Sequence, residues 1–349
     1  MGDSHKNLNS AAGAARPVLT LALAMLISAC TSAATVDAHQ RGALNESTEI
    51  APFIQEMEQR HGYPPTELKA ILAQARVLPR VIELISRPAE AKPWYAYRPI
   101  FLNESRITKG VAFWKSQRET LARAEQMYGV PAEIIVAIIG VETLYGERAG
   151  SIRVIDSLVT LGFRYPKRAK FFRSELQHFL LLSREESLDP LAVKGSYAGA
   201  MGVPQFIASS YRRYAVDFDG DGQRDLLDNP KDAIGSVANY LSEHGWKADG
   251  GIAVPASVSG EGYKSLLEKG LKPKLLLQDL DAHGVKMING VPTDTRVALL
   301  ELDLADGSEF WVVQRNFYAI TRYNHSPLYA MAVTQLAKEI RSRYLAQSG

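Results

Sequence analysis

The chain reads as a mainly α (α+β) protein with a small β domain inserted before its last helix. Three observations predict this. Apolar residues recur at helical spacing over most of residues 51–246. Within them, Ile134-Ile135-Val136-Ala137-Ile138-Ile139-Gly140-Val141 is apolar on every side, as a fully buried helix requires. Residues 252–317 then change character. Pro, Gly and β-branched residues rise, Leu300-Glu301-Leu302-Asp303-Leu304 alternates, and Asp306-Gly307 marks a turn before the apolar stretch 310–313, a hairpin pattern. The composition is that of a folded body. The 349 residues carry 40 Lys+Arg against 38 Asp+Glu, a formal charge of +2, with 46% hydrophobic and 22% charged residues. These values exclude disorder, collagen-like repeats and the charge excess of a nucleic-acid-binding protein.

At the N-terminus, Lys6 and Arg16 precede an apolar run at 18–27. That run has the length of a signal-peptide core and is too short to span a bilayer. The single cysteine follows, in Ile27-Ser28-Ala29-Cys30, which resembles the lipobox where bacterial prolipoproteins are diacylated on cysteine and cleaved before it. Residues 1–29 are then a signal peptide and 30–48 a small, polar tether. Thr31 rather than Asp after the cysteine implies passage to the outer membrane. The alternative is an ordinary signal peptide cut near Ala34. Loss of Lys6, Arg16 and Asp3 leaves 38 basic against 37 acidic residues, a charge of +1. One cysteine builds neither a disulfide framework nor a thiolate metal site. Position 6 is Lys, so Met1-Gly2 is no myristoylation signal. The expected product is a soluble body on a lipid tether.

Residues 49–110 are expected to form part of a helical domain, with Phe53, Ile54 and Met57 on one helix and Leu68, Ile71 and Leu72 on another after Pro65-Thr66. The Pro-rich, aromatic stretch 88–99, with Trp94, Tyr95 and Tyr97, reads as a crossing segment. Residues 111–251 form the core. Pro131 sits in the first turn of the apolar helix, where a missing N–H costs nothing, and Glu133 sits where the helix dipole favours an acid. The β domain covers 252–317. Residues 318–349 return to the core in a helix from Ser326 through Met331, Val333, Leu336 and Ile340. No internal repeat is visible.

Four constellations could carry chemistry. Glu142 ends the apolar run, in Gly140-Val141-Glu142-Thr143-Leu144-Tyr145-Gly146. A carboxyl in apolar surroundings resists ionisation, keeps a proton near neutral pH and can act as a general acid. The competing reading is a structural glutamate paired with Arg148 or Arg153. The segment Lys194-Gly195-Ser196-Tyr197-Ala198-Gly199-Ala200-Met201-Gly202-Val203-Pro204-Gln205-Phe206 lets backbone approach something closely. It is no P-loop, dinucleotide fingerprint or nucleophile elbow, and tight packing is its competing reading. Residues 217–228 place Asp217, Asp219 and Asp221 at calcium-loop positions 1, 3 and 5, Gly222 at 6 and the Gln223 carbonyl at 7. Position 12 is Asp228 rather than a bidentate Glu, and Asp232 could close the site instead. A hard cation, calcium first, is expected, against a solvated acidic turn. Tyr323-Asn324-His325-Ser326-Pro327-Leu328-Tyr329 has aromatics and amides suited to sugar, though aromatics are more often core. The seven histidines show neither a zinc-hydrolase nor a serine-triad pattern.

Four long motifs stand in order: GVPAEIIVAIIGVETLYG (129–146), KGSYAGAMGVPQF (194–206), DAIGSVANYLSEHGW (232–246) and YNHSPLYAMAV (323–333). With them the chain resembles the lytic murein transglycosylases of the B type, glycoside hydrolase family 103, over most of its length. The resemblance implies a lysozyme-like core. It implies non-hydrolytic cleavage of the β-1,4 bond between N-acetylmuramic acid and N-acetylglucosamine in peptidoglycan, the muramyl 6-hydroxyl closing a 1,6-anhydro ring. It implies Glu142 as the lone catalytic acid and base, and Ser196, Gln205 and Asn324 as polar groups near the scissile bond. Tyr97, Phe206, Tyr240, Tyr323 and Tyr329 resemble the aromatic walls of the cleft, and Arg168 a basic residue near the peptide stem. A single calcium site from Asp217, Asp219, Asp221, Gln223 and either Asp228 or Asp232 is implied, with no organic cofactor. Lys167 departs from a family Arg, Val203-Pro204 from a frequent aromatic and Gly, and Asn229 is an extra loop residue. The implied partners are glycan strands, the outer membrane through a lipid on Cys30, and wall-synthesis proteins, for a monomer that binds no nucleic acid. Two rivals stand beside this. A hydrolytic muramidase would need a second carboxylate, from Glu133, Asp156 or Asp189. The other is a wall-binding lipoprotein without catalysis.

Overall fold

The computed structural model describes residues 48–86, 92–287, 291–292 and 294–347; Cys30, the signal peptide and the tether up to residue 47 lie outside the described residues. Helices α1 (Ile50–His61), α2 (Pro65–Ala73), α3 (Pro79–Ile85), α4 (Trp94–Phe101), α5 (Glu104–Ser116), α6 (Arg118–Tyr128) and α7 (Ala132–Thr143) come first. A short strand β1 (Ile152–Arg153), α8 (Val154–Arg164), a 3-10 turn (Pro166–Arg168) and α9 (Ala169–Glu185) follow. Then come β2 (Lys194–Gly195), α10 (Ala208–Tyr214) and α11 (Pro230–Glu243). The β region holds β3 (Ala253–Val258), α12 (Lys264–Leu267), α13 (Leu277–Ala282), β4 (Val285–Met287), β5 (Ala298–Asp303) and β6 (Ser308–Val313). Helices α14 (Arg315–Tyr323) and α15 (Pro327–Ala346) close the chain. No single helix among the described residues is long and apolar enough to cross a membrane.

Helix α7 is the axis of the molecule. It packs against α5, α6, α11 and α15, and Ala132 through Val141 and Thr143 are all buried except Glu133. That surround follows from the sequence, since a helix with no polar side has no face to give to water. Pro131 is its N-cap, one residue earlier than the first-turn position expected. One large core gathers α4–α7, α11, α14 and α15. A second joins α1–α3 to α8, α9 and α10.

The segment 94–101 corrects the expected crossing segment, because it is helical. Pro93 is the N-cap of α4. Trp94, Tyr97 and Phe101, spaced i, i+3, i+7, put one aromatic stripe against the large core. That burial outweighs the Pro99 inside the helix.

The four-stranded sheet has the order β4-β3-β6-β5, antiparallel throughout. The hairpin forms where the alternation and Asp306-Gly307 place it. The Leu304 N–H donates to the Gly307 carbonyl at 3.0 Å, and Gly307 takes φ 77°. Alternation alone understates its burial. Leu299 and Val312 point into a small core under α12 and α13. Leu300 and Leu302 point the other way, into the large core. Each such leucine contributes about 1.5–3 kcal/mol by leaving water, so both sheet faces are held.

Candidate active site

Glu142 is the next-to-last residue of α7 and, with Glu133, one of the two residues of that helix that are not buried. It does not share the enclosure expected from its apolar neighbours. It sits at the mouth of the core with its carboxylate held from outside the helix. The Tyr329 hydroxyl donates to Glu142 Oε1 at 2.6 Å. Tyr329 lies in the first turn of α15, where the Ser326 hydroxyl caps the helix by accepting the Tyr329 N–H at 3.4 Å. Burial first, and the neighbouring Glu142 charge second, hold the Tyr329 phenol well above its ordinary pKa. It therefore stays a hydroxyl donor at any physiological pH.

The helix ends abruptly beside the carboxylate. Leu144 and Tyr145 take φ 53° and 64°, two successive non-glycine residues in the left-handed region. Such a pair persists only where its surroundings hold it. The Thr143 hydroxyl donates to the Val203 carbonyl at 2.8 Å and accepts from the Gly146 N–H at 3.0 Å. Tyr145 turns back, and its hydroxyl donates to the Arg106 carbonyl at 2.8 Å. The buried Arg106 guanidinium donates to the Gly140 carbonyl at 2.9 Å, a helix-end acceptor that also takes the Leu144 N–H at 3.2 Å. Thr143, Tyr145 and Arg106 escape a reading of the sequence as functional positions. The one signal for them is a polar Thr and a Tyr directly after an apolar run.

The segment 194–206 docks on this corner through the Thr143–Val203 bond and through Gln205. The Gln205 amide donates to the carbonyls of Ala149 at 3.0 Å and Gly202 at 2.9 Å, from a backbone at φ 53°. Ser196 shapes the same segment, its hydroxyl accepting from the N–H groups of Ala198 at 3.3 Å and Ala200 at 3.0 Å. Asn324 Oδ1 accepts from the Ser326 N–H at 3.1 Å, at the bend between α14 and α15. Val203-Pro204 joins the corner by backbone: Tyr323 donates its hydroxyl to the Pro204 carbonyl at 2.6 Å.

The aromatic residues correct an expectation. Tyr97, Phe206, Tyr240 and Tyr329 are 1%, 2%, 9% and 2% exposed, so their rings present little face to any ligand. They form a floor beneath Glu142 rather than open walls. Tyr329 stacks on Tyr323 at 6.3 Å and 8°. Tyr323 meets Tyr240 at 4.9 Å and Phe206 at 5.7 Å. Tyr240 donates to the Arg322 carbonyl at 2.6 Å, and burial raises its phenol to about 12. Tyr97 stands in α4 between Trp94 and Phe101. Tyr323 alone of the five keeps part of its surface exposed. The physical reason is amphipathy: each ring is mostly hydrocarbon and packs, while its one hydroxyl finds a carbonyl or carboxylate. Arg168 stands apart on the exposed corner between α8 and α9, its guanidinium over Phe171 at 4.4 Å and Phe172 at 5.2 Å.

The other carboxylates weighed as partners for Glu142 are engaged elsewhere. Asp156 is buried against Arg153 at 2.8 Å, which also removes Arg153 from the alternative pairing with Glu142. Asp189 caps its own loop by accepting the Leu191 N–H at 2.9 Å. Glu133 pairs with Arg341 at 3.0 Å and lies nine residues from Glu142, about 13 Å along a helix rising 1.5 Å per residue. That exceeds the 6.5–9.5 Å at which two carboxylates flank a hydrolytic water, a span of roughly two helical turns or less.

The acidic loop lies between α10 and α11. Asp217, Asp219 and Asp221 each bring one oxygen within 4.8 Å of the others, the one such acidic group among the described residues. Asp217 also accepts from the N–H groups of Gly220, Asp221 and Gly222, which folds the loop around it. The donor set is hard carboxylate oxygen, which fits calcium. Asp228 is exposed and its N–H is held by Asp225 at 3.1 Å. Asp232 is buried behind the cluster, its carboxylate accepting from Phe218 N–H at 2.7 Å and Asp225 N–H at 2.8 Å. Burial raises the Asp232 pKa, and the charges of Asp219 and Asp217 push the same way. Gln223 donates its N–H to Asp221 at 2.9 Å.

Comparison with known proteins agrees with this geometry. The family model for the transglycosylase SLT domain matches residues 45–338. The chain is 45% identical over 298 residues to the membrane-bound lytic murein transglycosylase B of Escherichia coli (strain K12), covering 82% of this chain and 81% of that one. It is similar to the crystal structure of the soluble lytic transglycosylase SltB1 from Pseudomonas aeruginosa, with TM-score 0.79 and 49% identity over 84% of this chain and 99% of that one. It is also similar to the Escherichia coli lytic transglycosylase Slt35 in complex with calcium, with TM-score 0.79 and 43% identity over 86% and 95% of the two chains. The chain belongs to the transglycosylase SLT family, among the lytic murein transglycosylases of the B type.

Proposed function

We infer that this protein cleaves the β-1,4 bond between N-acetylmuramic acid and N-acetylglucosamine in peptidoglycan without adding water, with Glu142 as its only catalytic carboxylate. The observation that carries this is the Tyr329–Glu142 hydrogen bond at the polar end of a wholly buried helix. It fixes one carboxylate at a partly exposed point, while Glu133, Asp156 and Asp189 are engaged elsewhere. A hydrolytic glycosidase needs a second acid as base or nucleophile. A transglycosylase takes its nucleophile from the substrate. Glu142 donates its proton to the leaving glycosidic oxygen, and the N-acetyl carbonyl supports the anomeric carbon. The carboxylate then accepts the proton of the muramyl 6-hydroxyl as that oxygen closes the 1,6-anhydro ring. Tyr329 is a positioning residue, and Gln205, Ser196 and Asn324 are the nearby polar groups for the sugars. Tyr323 supplies the exposed ring face, with Phe206, Tyr240 and Tyr97 as its support. Arg168, on an outer corner, is the contact for the peptide stem. Mass spectrometry of digested peptidoglycan tests the reaction. Anhydro ends are expected, and reducing ends would replace this reading with a hydrolase.

Two further parts belong to the reading. Asp217, Asp219 and Asp221, with the Gln223 carbonyl and Asp232 behind them, hold a structural calcium. Asp232 is favoured over the exposed Asp228 because it is buried and its carboxylate accepts the N–H groups of Phe218 and Asp225, tying both sides of the loop together. The calcium complex of Slt35 supports this assignment. Cys30 carries the lipid that anchors the mature chain at the periplasmic face of the outer membrane, consistent with a membrane-bound relative. The intact mass of the mature protein tests the anchor: a diacylated chain starting at Cys30 supports it, and an unmodified chain removes it.

A further inference from the structure

A cavity of about 660 Å³ lies away from Glu142, which is not among its lining residues. It lies between the end of α11, the start of α14 and the loops of the β region. Lys247, Lys272, Arg296 and Arg315 line it against a single carboxylate, Asp249. None of these four cations makes an ion pair with any described residue. Four like charges around one concavity repel one another, and clefts lined by one sign raise the local concentration of the opposite sign.

The cavity is also braced. Arg315 Nε donates to the Gly245 carbonyl at 2.8 Å and Arg296 Nη1 to the Lys274 carbonyl at 2.9 Å, so both guanidiniums are held by backbone. The buried Asn316 fixes the loop that carries Lys247, donating to the carbonyls of Lys247 at 2.8 Å and Gly250 at 2.7 Å and accepting the Lys247 N–H at 2.9 Å. Pro273, Pro292 and Tyr318 add apolar surface. A guanidinium anchored by one N–H keeps its remaining donors for a carboxylate, the geometry Arg serves best. The volume falls in the ordinary range for a bound small ligand, roughly 300–1,000 Å³.

We propose that this cavity binds the carboxylates of a peptide carried by the glycan polymer, at a place separate from the bond being cleaved. The proposal rests on the peptidoglycan reading above, since that polymer brings acidic peptides to a near-neutral protein. The cavity communicates with the reaction centre through packed rings: His244 on its wall stacks on Tyr240 at 3.9 Å, and Tyr240 meets Tyr323, which stacks on Tyr329.

The test uses the mature protein carrying Glu142→Gln, so that substrate survives. Calorimetry measures binding of a synthetic stem pentapeptide with free carboxylates, its fully amidated counterpart, and inorganic phosphate. The free-acid peptide should bind, the amidated one at least about tenfold more weakly, and binding should weaken with salt. Lys247→Glu with Lys272→Glu should reduce it at least tenfold, with Arg296→Gln as a second, independent variant. Both lysine side chains are exposed and neither forms an ion pair, so the fold should tolerate their change, which an unaltered melting temperature checks. Equal binding of the amidated peptide, equal binding by both variants, or binding of phosphate alone overturns the proposal. On the active background, the variants should keep wild-type cleavage of peptide-free glycan and slow on peptide-bearing glycan. If wild type makes no anhydro ends on either polymer, the activity assignment fails; if it does so and the variants match it on both, only this site fails.

Discussion

Glycine does opposite jobs in the two motifs that matter most. In α7, Gly140 is an ordinary helical residue needed for space. A Cβ there would meet the Tyr145 hydroxyl at 2.5 Å and its ring carbons at 2.6 and 2.9 Å. In the acidic loop, Gly220 and Gly222 have nothing within 4 Å but sit at φ 80° and 93°. The first glycine is dictated by a neighbour brought in by tertiary structure, the second by local backbone. The same split runs through the two sites. Glu142 is held by Tyr329, 187 residues away in the chain, and its helix end by Val203, 60 residues from Thr143. Asp217 is held by backbone three to five residues ahead of it. The region around Glu142 should therefore respond to changes far off in sequence, and the loop chiefly to the ion proposed for it.

The largest effect sharpens the chemical half of this contrast. Glu142→Gln removes both the acid and the later base, each worth typically 10²–10⁴-fold, so turnover of peptidoglycan should fall by about 10³-fold or more. A melting curve should hardly move, because Glu142 is partly exposed. Wall lysis at wild-type rate would end the assignment.

Tyr329→Phe keeps the ring and its stacking but removes the hydroxyl on Glu142. Turnover should drop about 10–100-fold, equivalent to roughly 1.4–2.7 kcal/mol, with little change in substrate affinity. A fall confined to affinity would make Tyr329 a sugar contact instead of a positioning residue.

Gly140→Ala tests whether space or propensity decides. Alanine favours a helix over glycine by about 1 kcal/mol. Displacing a Tyr145 whose hydroxyl is anchored on Arg106 should cost more, in the 1–3 kcal/mol range of overpacked cores. We expect a net destabilisation of about 1 kcal/mol and a lower melting temperature. A stabilised variant would show that Tyr145 moves freely and that the α7 end is less rigid than its hydrogen bonds indicate.

For the loop, EDTA should lower the melting temperature and calcium restore it, since an ion present at a hundred times its dissociation constant stabilises by about 2.7 kcal/mol. Asp217→Asn should abolish the response. No shift with either reagent would return the segment to a solvated acidic turn.

Sequence legibility follows the same divide between local and distant. The hairpin at 298–313 is legible because its period and its Asp-Gly turn are short-range, and the clustering of Asp217, Asp219 and Asp221 because it follows from their spacing alone. Glu142 stands out as a candidate through the resemblance, while its place after an apolar run leaves a structural ion pair equally open. Its partial exposure is not legible, since that depends on where α15 docks. The burial of the aromatic floor is hidden for a related reason: a sequence shows that Tyr240 or Phe206 is aromatic, not which side of the ring another helix covers. Residues 88–99 read as a crossing segment because their prolines are visible locally, while the core that holds 94–101 as a helix is not.

The smallest effect comes from two histidines, one in each half of the structure. Burial, the leading cause, lowers the pKa of His178 in α9 and of His244 at the end of α11 below the ordinary value near 6.5. Both are therefore held neutral in the native state, while the unfolded chain takes up protons first as pH falls. Stability from this source is complete above about pH 6.5 and is lost progressively below it, levelling only past the folded values. Melting temperature followed from pH 8 to pH 5 should fall on the acid side, and His178→Gln with His244→Gln should flatten that slope. His244 stacks on Tyr240, so its protonation also puts a charge one ring away from the Tyr323–Tyr329 stack under Glu142. If the reaction centre is as rigid as its long-range bonds imply, the single variant His244→Gln should change the acid limb of the stability curve and leave turnover at pH 8 within about twofold. A larger loss at pH 8 would mean that the floor, and not only the Tyr329 hydroxyl, sets the position of the carboxylate.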